Sequence, residues 1–80
     1  MQEHTANTTL EIWCAINAQG EYLREFTYDG EGYNKRYDLV KADTQENMEG
    51  ILDYQIRISS GFGDESGVEF LQGFKPVRVM

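Results

Sequence analysis

Eighty residues allow one domain with one thin core, and fourteen acidic against seven basic residues leave a net charge of −7. Such a surface repels phosphate backbones and anionic lipid, which argues against direct nucleic-acid or membrane binding and for a basic protein partner. The single cysteine, Cys14, excludes an internal disulfide and points to a reducing compartment. The polar opening, Met1 to Thr8, has no basic and apolar signal pattern. No apolar run approaches the roughly 20 residues that span a bilayer, so a cytoplasmic protein is expected.

Residues 1–7 read as a polar tail and 8–80 as a single domain. From Thr8, Leu10, Ile12, Cys14 and Ile16 alternate with Glu11, Trp13, Ala15 and Asn17, the period of a half-buried strand. A second strand over Glu21–Tyr28 places Tyr22, Arg24, Phe26 and Tyr28 on one face. A three-residue loop, Ala18-Gln19-Gly20, with Gly20 in the left-handed region, sets Asn17 opposite Glu21 and Ile16 opposite Tyr22. In that register Ile12 faces Phe26 and Leu10 faces Tyr28, so the two apolar faces coincide. Asp29-Gly30-Glu31-Gly32 is a turn, and Tyr33–Ala42 a third strand with Tyr33, Tyr37 and Leu39 on one face.

The period then lengthens. Asp43 has the character of an N-cap, with Glu46 at the capping-box spacing, and Met48, Ile51 and Leu52 form a helical stripe. A helix over about 44–58 follows, although Tyr54, Ile56 and Ile58 also alternate and leave a strand open for residues 54–59. Ser59–Gly67 reads as a flexible loop, and Val68–Leu71 with Phe74–Val79 as one strand broken near Gly73 or two short ones. Pro76 places that strand at an edge. The expected class is α+β: a small antiparallel sheet in β-β-β-α-β order with one helix packed on one face.

Catalytic and metal chemistry finds little support. His4, the one histidine, lies in the tail, whereas an acid–base group must be held beside its substrate. Cys14 sits on an apolar face as a small core residue, not in the electropositive setting of a reactive thiolate. One His and one Cys cannot build a structural zinc site, and the acidic turns lack the ligand spacing of a calcium loop. Gly61–Gly67 is rich in Gly but acidic, without the Lys of a phosphate loop. No enzyme and no cofactor are expected. The acidic helix is the informative feature: Glu46, Glu49 and Asp53 form one exposed stripe, which Arg57 closes by pairing with Asp53. Phe62, Tyr33 and Trp13 are candidate aromatic anchors.

The segment Asp29-Gly30-Glu31-Gly32-Tyr33-Asn34-Lys35 resembles a stretch in one of the small acidic anti-CRISPR proteins of phages. Short length, acidity and a thin α+β core are also similar to that group. The resemblance implies a CRISPR effector subunit as partner and Asp29 and Glu31 as contact acids.

The expected function is therefore a non-enzymatic interaction protein that blocks a basic, nucleic-acid-binding protein surface in an anti-defence role. Its contact residues would be Asp29, Glu31, Tyr33, Glu46, Glu49, Asp53 and Phe62. The alternative is an assembly module that self-associates through a sheet edge, motivated by Trp13 on the non-core face of the first strand.

Overall fold

The computed structural model describes residues 10–80, so the expected tail over 1–7 and His4 lie outside the described residues. The chain forms β1 (Trp13–Ile16), β2 (Arg24–Tyr28), β3 (Lys35–Leu39), α1 (Gln45–Gly61), α2 (Glu65–Gln72) and β4 (Lys75–Arg78). It is an α+β protein with two small antiparallel sheets, one of β1 and β4 and one of β2 and β3.

The first loop forms as its sequence dictates. Gly20 adopts φ 80°, the Asn17 N–H donates to the Glu21 carbonyl at 3.0 Å, and Ile16 bridges Tyr22. One bond further, the Leu23 N–H reaches the Ala15 carbonyl at 2.9 Å. The expected hairpin stops there. Trp13 exchanges both backbone bonds with Ala42, at 2.8 and 2.9 Å, so the edge of β1 that Phe26 and Tyr28 were to occupy is taken. β2 instead leaves β1 and pairs with β3, Phe26 opposite Tyr37 and Tyr28 opposite Lys35. Ile12 and Leu10 therefore do not face Phe26 and Tyr28, and Leu10 is 81% exposed.

The other edge of β1 takes β4, Cys14 opposite Val77 and Ala15 opposite Pro76. Pro76 thus sits on an outer strand, where its missing N–H costs no ladder bond. Both faces of β1 are covered. Ala15 joins Leu23, Val40, Met48, Leu52, Leu71 and Phe74 in the core, with Trp13 packed against it. Cys14 is fully buried on the opposite face, lining a shallow hollow with Ile12, Tyr22, Leu39 and Val79. The inward face of the first strand is therefore that of Trp13 and Ala15, the reverse of the expectation. Trp13 is not a free outer aromatic, and its indole N–H donates to Glu11 at 2.7 Å.

α1 begins one residue later than its sequence suggests. Thr44, not Asp43, is the N-cap, its hydroxyl accepting the Asn47 N–H at 3.0 Å, while Asp43 accepts from the Asn47 side chain at 2.6 Å. Residues 54–59 are helical and extend α1 to Gly61. α2 was not expected: Val68–Leu71 lies inside a helix rather than a strand, and the expected flexible loop over 59–67 is the end of α1, a tight corner and the start of α2. Asp64 caps α2 through the Gly67 N–H at 2.9 Å, and Leu71 and half-buried Val68, three apart, face inward.

The β2–β3 hairpin packs mainly on itself, whereas α1 packs on α2, β1 and β4. The Cα radius of gyration, 15.3 Å, exceeds the roughly 12 Å of a compact chain this size.

Candidate interaction surface

The two helices form an acidic layer. Met48 and Leu52 are buried, and Glu46, Glu49 and Asp53 lie on the opposite, exposed side of α1. Glu65 and Glu69 form a second exposed row on α2. Residues 43–72 hold Asp43, Glu46, Glu49, Asp53, Asp64, Glu65 and Glu69 against Arg57 alone, and every one of these side chains is exposed. Ion pairs among the described residues join Arg36 to Asp38 and Arg78 to Glu11, so the expected Asp53–Arg57 pair does not close the stripe.

The carboxylates differ in what accounts for them. Glu46 and Glu65 lie in first turns, where they complement the helix dipole, and Asp43 and Asp64 serve the caps. Glu49, Asp53 and Glu69 have no such role. Glu49 is repelled by Asp53, and Glu69 by Glu65, at i,i+4, each pair unfavourable by a few tenths of a kcal/mol. Helix ends thus explain four of the seven acids; Glu49 has only a 3.4 Å bond from the Gln45 side chain, Asp53 stands between Glu49 and Arg57, and Glu69 has only repulsion from Glu65.

Asp29, Glu31 and Tyr33 belong to another place, the tip of the β2–β3 hairpin. The five-residue strands carry that tip on the order of 15 Å from the hairpin's root beside α1. Asp29 is a turn residue. Its carboxylate accepts from the Asn34 side chain at 2.8 Å and from the backbone N–H groups of Glu31 and Tyr33 at 3.0 and 3.1 Å. These bonds, led by that from Asn34, hold its pKa below the ordinary carboxylate value. Gly32 supplies the positive φ of 77° that closes the turn. Asp29 therefore has little accepting capacity left for a partner, while Glu31 and Tyr33, the latter 82% exposed, remain open to one. Tyr33 lies just outside β3.

Phe62 is the C-cap of α1 and stands 85% exposed at the α1–α2 corner. Its place is fixed, not loop-like: its N–H bonds the Ile58 carbonyl at 3.1 Å, and Gly63 follows at φ 72°. Beside it runs a feature that sequence reasoning missed. Leu39 and Val40 at the hairpin root and Ile51, Tyr54 and Ile58 on α1 line an open groove of about 910 Å³. The spacing of Ile51, Tyr54 and Ile58 was the available signal, but it reads equally as core.

The candidate residues thus fall into an acidic helical face (Glu46, Glu49 and Asp53), an aromatic corner (Phe62) and a hairpin tip (Glu31 and Tyr33). Among the described residues no three His, Cys, Asp or Glu side chains gather as a metal site, and no helix is long and apolar enough to cross a membrane. Comparison with family models, curated proteins and solved structures finds no match to this chain.

Proposed function

We propose that this protein is a non-enzymatic inhibitor that docks its acidic helical layer on a basic protein surface, of the kind that otherwise holds nucleic acid. The observation that carries this reading is the pair of outer helix stripes. Seven exposed carboxylates face solvent beside one cation; among the described residues Asp53 and Glu69 accept no hydrogen bond, and Glu49 accepts only a long one, at 3.4 Å from the Gln45 side chain. Charge of one sign on one face speeds encounter with a surface of the other sign. Phe62, exposed at the end of α1, supplies the apolar anchor that electrostatics alone lacks. The resemblance of the hairpin tip to phage anti-CRISPR proteins makes a CRISPR effector subunit in the host cytoplasm the partner to test first, with Glu31 and Tyr33 as further contacts.

The test is capture by the tagged full chain from a nuclease-treated lysate of bacteria carrying an active CRISPR system. Stoichiometric recovery of an effector subunit, lost with E46K/E49K/D53K, supports the proposal. No basic partner, or recovery unchanged by the triple variant, removes the helical face from it.

A further inference from the structure

Independently of the acidic face, the β2–β3 hairpin is itself an incomplete structure. A lone two-stranded hairpin is marginal in water, and each strand of this one has an unpaired edge among the described residues. One side carries Phe26 against Tyr28 and Tyr37, ring centroids 5.1 and 5.3 Å apart, with Tyr37 63% exposed. The other carries Glu25, Thr27, Arg36 and Asp38.

The hydrogen bonds that close the hairpin fix which groups point outward. The Asp29 N–H donates to Asn34 at 3.0 Å and the Val40 N–H to Leu23 at 3.1 Å. By alternation, Glu25–Asp38 and Thr27–Arg36 are the inward hydrogen-bonded pairs, and Phe26–Tyr37 is a non-hydrogen-bonded pair. The backbone N–H and C=O of Lys35, Tyr37 and Leu39 therefore face the free edge of β3. A 3.4 Å bond from Arg24 to the Tyr37 carbonyl leaves that oxygen its second lone pair.

We infer that the free edge of β3 pairs antiparallel with β3 of a second copy about Tyr37, making one four-stranded sheet across the dimer. Tyr37 then exchanges both backbone bonds with its counterpart. Arg36 and Asp38 each fall opposite the other's counterpart as non-hydrogen-bonded pairs, where side chains approach most closely. The Arg36–Asp38 pair within each chain, 3.0 Å apart, extends into a ring of four alternating charges. That ring also offsets the repulsion between Glu25 and Asp38, which face each other across the hairpin. Neighbouring registers are rejected: a shift one way puts Arg36 opposite Arg36, and the other way Asp38 opposite Asp38. The edge of β2 offers no such complementarity, since self-pairing about Phe26 sets Arg24 opposite Tyr28 and Glu25 opposite Thr27.

Sedimentation equilibrium of the full chain from micromolar concentration up to about 1 mM, the weak end of specific association, reads the proposal. We expect a dimer for the natural chain and monomers for R36D and for D38R. An equimolar mixture of R36D and D38R restores the dimer, because each acidic edge then meets a basic one. Y37C provides a second readout. Its two thiols lie across a pair with Cα atoms about 5.5 Å apart, within disulfide reach, and mild oxidation is expected to link the chains while Cys14 stays buried. A monomer throughout the range overturns the inference. So does a dimer indifferent to R36D and D38R, or a mixture that stays monomeric. None of these variants touches α1 or α2, so capture of a basic partner stands or falls separately.

Discussion

Asp64 and Gly67 are locked together at the start of α2: the Asp64 carboxylate accepts the Gly67 N–H at 2.9 Å, and a Cβ built on Gly67 would collide with that carboxylate. Asp64→Ala is expected to cost about 1 kcal/mol through loss of the cap. Gly67→Ala gains roughly 1 kcal/mol of helix propensity, but it expels the capping side chain and yields no net stabilisation. In the Asp64→Ala background the same Gly67→Ala change stabilises, because nothing is left to expel. Urea unfolding of the four proteins measures this non-additivity, and simple addition of the single effects would refute it.

Met48 is fully buried among Ala15, Leu52 and Leu71. Met48→Ala is expected to cost 2 to 5 kcal/mol, roughly. A domain this small has about 5 kcal/mol in total at the low end of the usual range. The variant should therefore be substantially unfolded at 37 °C by far-UV circular dichroism. Glu46→Ala, on the exposed side of the same helix, should leave the spectrum unchanged.

The α+β class, the Gly20 loop, the main helix and the edge position of Pro76 were legible because each rests on local chemistry: a period, a turn glycine, a missing N–H. The strand partners were not. Period two along Leu10–Ile16 marks alternate residues without saying which set faces the helices, and both Cys14 and Ala15 are buried. Trp13 pairs with Ala42, distant in sequence, and that contact diverts β2 to β3. α2 was hidden by composition, since Gly67 and Ser66 read as loop residues until Asp64 is recognised as a cap. In the candidate surface, the stripe of Glu46, Glu49 and Asp53 could be read from helical spacing alone. The separation of Asp29 and Glu31 from that stripe could not, because it depends on where the hairpin projects.

Asp29 makes the hairpin tip sensitive to pH. Its folded-state pKa is lowered by the Asn34 side chain first and then by backbone N–H groups. A depressed carboxylate contributes its stabilisation above the unfolded pKa and loses it as pH falls through the folded value. The turn should therefore be intact at neutral pH and loosen only below the ordinary carboxylate range. Amide exchange at Tyr33 and Asn34 should accelerate there relative to its intrinsic pH dependence. Asp29→Asn should remove that additional pH dependence, and Asn34→Ala should move the transition to higher pH.

Glu69 tests whether the acidity of the helical layer serves folding or binding. It stands four residues after Glu65 in the last turn of α2, where a cation is favoured, and it lines a hollow with Glu21. Glu69→Lys converts an i,i+4 repulsion into a Glu-to-Lys attraction of the better orientation and complements the helix end. The gain should be about 0.5 to 1 kcal/mol. Glu65→Lys relieves the same repulsion in the poorer orientation but places a cation in the first turn, so the two effects offset and stability should stay within about 0.5 kcal/mol of the natural protein. If the layer exists to meet a basic partner, both variants lose partner capture although only Glu69→Lys gains stability. A Glu69→Lys protein that is less stable than the natural one would mean that the carboxylate has a favourable contact in the fold, and Glu69 would leave the binding face.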